Sequence, residues 1–148
     1  MYKHILVPPD GSKLSNAAAE AAVRLAKALG ARVTGFFAAP PATPIVFKGI
    51  VPVGYQAPEE HAKGIRKAAG QYLGFIRKTA SAAGVACEVV SLTSDYPADA
   101  IVAAARKRRC DLIFIASHGR RGVRRESFLG SETQKVLSQS PIPVLVHR

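Results

Sequence analysis

Leu112-Ile113-Phe114-Ile115-Ala116-Ser117-His118-Gly119 and, after a basic loop, Gly130-Ser131-Glu132-Thr133 are the two stretches that decide the fold. The run Leu112 to Ile115 is apolar on both faces and reads as a buried strand. Ser117-His118-Gly119 ends it, a loop rich in glycine and arginine follows, and Gln134 to Ser138 reads as a short helix. A strand, a glycine-bearing loop and a helix start are the parts that hold a phosphate. Backbone N–H groups approach the anion in such a loop, and the helix N-terminus adds a partial positive charge. With Asp10 after the first strand, the pattern is that of a nucleotide-binding domain that senses rather than catalyses.

Outward from this core, strands alternate with helices. Lys3 to Val7 is a short β-rich run, broken by Pro8-Pro9-Asp10-Gly11-Ser12. Ser15 is placed to cap a helix from Asn16 to Leu29 with an apolar stripe at Ala19, Ala22, Val23, Ala26 and Leu29, and Gly30 is placed to end it in a left-handed cap. Arg32 to Ala38 reads as a second strand. Ile65, Ala69, Tyr72, Ile76, Ala80 and Ala83 recur at helical spacing up to Gly84; Gly64, Gly70 and Gly74 inside that helix predict close packing, since each costs about 1 kcal/mol against alanine. Val85 to Leu92 is a third strand, Ser94-Asp95-Tyr96-Pro97 a helix start with a capping side chain, Ala98 to Lys107 the helix, and Val144 to His147 a fifth strand. The run Arg106-Lys107-Arg108-Arg109 reads as a solvated helix end that suits the helix dipole. Ala39 to Pro58, with five prolines among apolar residues, reads as a lid or an interface, or as plain cover for the core.

This alternation implies right-handed crossovers and a parallel sheet covered on both sides. Ligands of such sheets bind beyond the carboxyl ends of the strands, where the winding reverses. If the strands ending at Val7 and Ala116 are neighbours, Asp10 and Ser117-His118-Gly119 face one crevice.

Composition sets the bounds. The chain has 148 residues, one domain by length, with a formal net charge of +11 that attracts polyanions. It holds no apolar run long enough to span a bilayer and shows no cationic-then-apolar leader at Met1-Tyr2-Lys3-His4, so a cytoplasmic chain without a membrane partner is expected. Cys87 and Cys110 have neither metal spacing nor a CxxC and read as reduced, packed thiols. His4, His61 and His147 have no matching partners and read as surface or sheet residues.

Ile5-Leu6-Val7-Pro8-Pro9-Asp10-Gly11-Ser12, Ser117-His118-Gly119-Arg120-Arg121-Gly122, Leu129-Gly130-Ser131 and the ending Pro143-Val144-Leu145-Val146 resemble, in order and spacing, the universal stress protein (UspA-like) family. The resemblance covers residues 1–148 as one universal stress protein domain. It implies an adenine-nucleotide alpha-hydrolase-like, Rossmann-like α/β sandwich. This is a doubly wound five-stranded parallel sheet in the order 3-2-1-4-5, with a homodimer through Pro143 to His147. One branch of the family binds ATP and is marked by Gly-x-x-Gly, nine residues, then Gly-[Ser/Thr]. This chain departs twice: Ala116 stands at the first glycine, and Arg120 to Leu129 make ten intervening residues.

Carried over, the resemblance implies that Asp10 accepts hydrogen bonds from the adenosine part, with Pro8 and Pro9 packed beside it. Phe37 or Ala38 offers backbone to the adenine edge, and Ile115 and Ala116 line the ribose. His118 and Gly119 reach the phosphates with Gly130, Ser131 and Thr133, and Arg120 adds charge. Glu132 belongs to the same helix start and must point away from a phosphate. Each has a plain alternative: Asp10-Gly11 is a turn pair, Ser131 to Gln134 fits a capping box, and His118 can close its loop.

Three functions follow. The first is an ATP-binding, stress-responsive homodimer, with Mg2+ accompanying the nucleotide, that senses or regulates. The second is an interaction module of the same fold that binds no nucleotide and serves an unknown protein partner. Nucleic acid is the third and least expected partner, for want of a recognised motif. No Walker motif, paired carboxylates or evident base is present, so efficient catalysis is not expected; slow ATP hydrolysis or self-phosphorylation stays open.

Overall fold

The computed structural model describes residues 1–41, 57–119 and 129–148. The chain runs β1 (His4–Val7), α1 (Lys13–Leu29), β2 (Arg32–Ala39), α2 (Pro58–Ala83), β3 (Cys87–Thr93), α3 (Pro97–Lys107), β4 (Leu112–Ala116), α4 (Ser131–Gln139) and β5 (Val144–His147). The strands form one parallel sheet in the order β3-β2-β1-β4-β5. β1 therefore lies between β2 and β4, with Ile5 opposite both Val33 and Leu112. The winding reverses there, as the crevice argument requires.

Each face of the sheet buries its own layer. Ile5, Val7, Val33, Leu112, Phe114 and Ala116 pack against α1 and α2, while Leu6, Phe36, Ile113 and Ile115 pack against α3 and α4. The alternation along each strand sends neighbours to opposite faces, so continuous apolar runs are what a doubly covered sheet demands. Fully buried side chains such as Phe36, Ile5, Leu6 and Ile76 each contribute about 1.5–3 kcal/mol by leaving water. Gly35 permits the close approach of β2 to α2: a Cβ there would lie 3.2 Å from Ile76 Cδ1 and 3.3 Å from Leu73 Cδ2.

Several sequence expectations change. The cap of α1 is Ser12, not Ser15; Ser12 Oγ accepts from Ser15 N at 3.0 Å, and Ser15 is buried within the helix. The left-handed turn at Gly11 (φ 80°) lets the helix begin earlier. β3 begins at Cys87 rather than Val85, and Val85 packs under the end of α2. Tyr96 is the cap position of α3 and offers no side-chain bond; Ser94 Oγ accepts from Tyr96 N instead. Gly64, Gly70 and Gly74 are not close-packing positions, because a Cβ at each would meet nothing within 4 Å. The proline-rich stretch lies, but for its ends, outside the described residues, as do Arg120 and Arg121.

Candidate functional site

The strand ends at the winding reversal meet through two glycines. Asp10 follows β1, and its Oδ1 accepts from Ser12 N at 2.9 Å while its own N donates to Ser15 Oγ at 3.1 Å. These bonds hold the carboxylate in a tight turn. Its other oxygen, Oδ2, lies over Gly119, where a Cβ would collide with it. Asp10 and the end of the Ser117-His118-Gly119 segment are thus in direct apposition, although 109 positions separate the two residues in the chain.

The second glycine closes the corner from the other side. Gly130 N donates to Ser117 O at 2.7 Å, and a Cβ on Gly130 would lie 3.1 Å from His118 Cα. Thr133, buried in the first turn of α4, donates through Oγ1 to Ala116 O at 2.9 Å. Ser117 N in turn donates to His147 O at 2.7 Å, which ties the corner to β5. Ser117 Oγ and His118 Nδ1 are hydrogen-bonded at 3.1 Å, so the imidazole is oriented by its neighbour.

α4 begins directly on this corner, with Gly130 as its cap residue. Glycine has no side chain to offer the helix's first N–H groups. The alternative of a capping box from Ser131 to Gln134 is not what forms: Ser131 is the first helical residue, and Gln134 Nε2 donates to Leu129 O at 2.7 Å. The helix start extends earlier than the expected Gln134 because the Gly130–Ser117 and Thr133–Ala116 bonds fix its first turn against β4. Glu132 turns to the neighbouring helix. Its Oε2 accepts from Ala98 N at 3.0 Å, in the first turn of α3, and its Oε1 pairs with Lys135 Nζ at 3.1 Å.

The remaining expected residues share this end of the sheet. Pro8 is half-buried and Pro9 buried beside Asp10. Ile115 belongs to the layer facing α3 and α4, and the methyl of Ala116 to the layer facing α1 and α2. Phe37 and Ala38, near the end of β2, are both half-buried; Ala38 packs toward α3. Phe37 meets Tyr72 of α2 edge-to-face at 5.4 Å and 88°. Tyr72 recurs at helical spacing with the apolar residues of α2, and its ring also lies against Gly11, where a Cβ would collide with it. No local signal marks that contact. Arg120 lies outside the described residues.

Other chemistry is sparse. Among the described residues no group of His, Cys, Asp or Glu is arranged to hold a metal, and no helix is long and apolar enough to cross a membrane. Cys87 and Cys110 are free thiols. Burial raises both, Cys110 to about 11.

This architecture has close counterparts. A curated universal stress protein of Thermus aquaticus is 32% identical over 148 residues, covering 100% of both chains. A solved universal stress protein in complex with cAMP superposes with a TM-score of 0.72 at 23% identity, covering 99% of this chain and 97% of that one. One from Archaeoglobus fulgidus in complex with dAMP does so at 0.66 and 21%, covering 99% and 98%. The family model for universal stress proteins matches residues 1–148 without interruption. With the strand order, the Asp10–Gly119 apposition and the Gly130 helix start in place along that whole length, the chain belongs to the universal stress protein family.

Proposed function

We propose that the corner formed by Asp10, Ser117-His118-Gly119 and the start of α4 binds an adenine nucleotide, ATP with Mg2+ in the cell, and that the protein acts as a stress-responsive sensor or regulator rather than an efficient enzyme. The carrying observation is the glycine-capped start of α4 set against Gly119 and Asp10 at the winding reversal. A helix start with no side-chain cap presents N–H groups and a partial positive charge to an anion. Two relatives of this fold are solved with cAMP and dAMP, which supports the same ligand class here.

The residues fit the group. Glycine at 119 and 130 lets backbone, rather than side chains, line the corner. Glu132 is held by α3 and Lys135, which removes the like-charge conflict with a phosphate. Asp10 would hold the adenosine part; His118, Gly119, Gly130 and Ser131 would hold the phosphates. Thr133, whose hydroxyl is engaged with Ala116 O, would hold the cradle in shape.

The homodimer belongs to the same reading. β5 is an edge strand with Leu145 38% exposed, and its unpaired edge is a template for a second copy. The cytoplasm is the expected compartment.

Calorimetric titration of nucleotide-free protein with Mg-ATP and with AMP tests the ligand. Saturable binding near one per chain, weakened at least tenfold by Gly119→Val or Asp10→Ala, is the expected result. No binding by the unaltered protein would leave an interaction module of the same fold. Leu145→Arg should yield a folded monomer in sedimentation, and a persisting dimer would remove β5 from the interface.

A further inference from the structure

The end of the sheet opposite this corner carries a different surface. In a parallel sheet with antiparallel helices, every strand start and every helix end falls at one rim. Lys3 and Arg32 are exposed there on the adjoining starts of β1 and β2, since Arg32 N donates to Lys3 O at 3.0 Å. Lys27 is in the last turn of α1, and Arg106 and Lys107 in that of α3. Arg108 and Arg109 follow immediately. Against these seven cations stand two carboxylates, and both are engaged. Glu88 pairs with Arg108 at 2.7 Å, and Asp111 accepts from Lys3 N and His4 N at 2.8 and 2.9 Å.

Helix ends favour cations, which accounts for Lys27, Arg106 and Lys107. It does not account for Lys3, Arg32 or Arg109, which lie outside the helices. The four helix C-termini contribute about half a negative charge each, too little to offset the excess. Arg109 is the more telling residue. It has φ 55°, the one non-glycine residue among those described in the left-handed region. That conformation costs an L-residue roughly 1–2 kcal/mol and suits glycine or asparagine. An arginine held there at a cost in strain points to use of its charge.

We propose that this rim docks the phosphate backbone of a nucleic acid, without reading its sequence. Arginines predominate, and the planar guanidinium is matched to phosphate oxygens. A membrane or protein partner would call for apolar anchors beside the cations. Among the described residues the exposed large apolar side chains are Met1, Leu92, Tyr96, Leu137 and Leu145, of which Met1 and, in the last turn of α4, Leu137 belong to this rim, on elements separate from the arginine run that ends α3. Acidic first turns lie at the opposite end, at Glu59 and Glu60 of α2, Asp99 of α3 and Glu132 of α4. Among the described residues the cationic excess of this rim is what attracts a polyanion.

Fluorescence anisotropy with a labelled 20-nucleotide oligouridylate tests this. For four phosphate contacts, affinity should fall about 50-fold between 50 and 200 mM salt. A triple variant, Arg106→Gln, Lys107→Gln and Arg109→Gly, should bind at least tenfold more weakly. A control triple of equal charge change on exposed α2 residues, Lys63→Gln, Arg66→Gln and Lys67→Gln, should lose less than threefold. Arg109→Gly alone should weaken binding while its Tm stays at or above that of the parent, which separates the charge from folding. Equal losses in the two triples, absence of binding at 50 mM salt, unchanged affinity in Arg109→Gly, or binding to phosphatidylserine vesicles but not to the oligonucleotide would each overturn the proposal.

Discussion

Gly11 does two jobs that can be separated by mutation. Its φ of 80° makes the turn that aims Asp10, and its missing Cβ leaves room for the Tyr72 ring. Gly11→Ala should cost about 2–4 kcal/mol in urea unfolding, roughly 1 from backbone strain and the rest from overpacking. Adding Tyr72→Ala relieves only the overpacking, so the double variant should retain the strain share and show clear non-additivity against the Tyr72→Ala background. The turn role was legible from Asp10-Gly11 itself, because φ > 0 is a local demand. The Tyr72 contact was not, because it joins positions far apart in the chain. Cys110 gives a second test at this scale. With its thiol buried and raised to about 11, it should resist iodoacetamide in the native protein at pH 8 and react once urea unfolds it. Rapid native labelling would contradict that burial.

At the scale of elements, α3 shows how a helix end can be completed from elsewhere. The sequence offered Ser94 and Asp95 as caps before Pro97, and neither serves: Ser94 Oγ is used by the turn, accepting from Tyr96 N. The N–H of Ala98 is met by Glu132, at the start of α4 and on the same side of the sheet. Glu132→Ala should therefore destabilise by about 1 kcal/mol, the usual value of a lost cap, and speed amide exchange in the first turn of α3. Glu132→Gln should keep most of the stability. Lys135→Ala should change it by less than ~0.5 kcal/mol, because the Lys135–Glu132 pair is 57% and 41% exposed. If Lys135→Ala proved as costly as Glu132→Ala, the ion pair rather than the cap would be the important contact. Strand positions were readable to within two residues from apolar runs. The starts of α1 and α4 were not, since there the first turn is set by contacts with Asp10 and with β4.

Across the whole molecule, a polar chain crosses three strands at the sheet's basic rim, buried at His4 and Thr34 and open to solvent at Glu88. His4 is 3% exposed, and its Nε2 lies 2.7 Å from Thr34 Oγ1, whose hydroxyl donates to Glu88 Oε1 at 3.0 Å. Thr34 has one proton and gives it to Glu88, so His4 donates to Thr34 through Nε2. Burial first, then Arg32 on β2, holds the imidazole below its ordinary 6.5, while Glu88, the Arg108 main chain and Asp111 oppose that shift. The unfolded chain then takes up this proton before the folded one. Stability should be fully present above about pH 7 and fall as acid passes through the lowered folded value. Glu88, drawn below 4.5 mainly by its hydrogen bond with Arg108, adds a separate loss at lower pH. Urea midpoints from pH 8 to 4 should show both limbs, and His4→Gln should remove the upper one only; an unchanged upper limb would acquit His4. The sequence by itself determined the alternation of elements, the apolar strands and the glycine-bearing turns, because periodicity and φ preference act between near neighbours. Only the tertiary structure decided that Asp10 lies over Gly119, that Glu132 caps a neighbouring helix, that Tyr72 fills the space above Gly11, and that His4 is buried against Thr34. Each of those contacts depends on which strands lie side by side, and that is settled by burying two apolar faces at once.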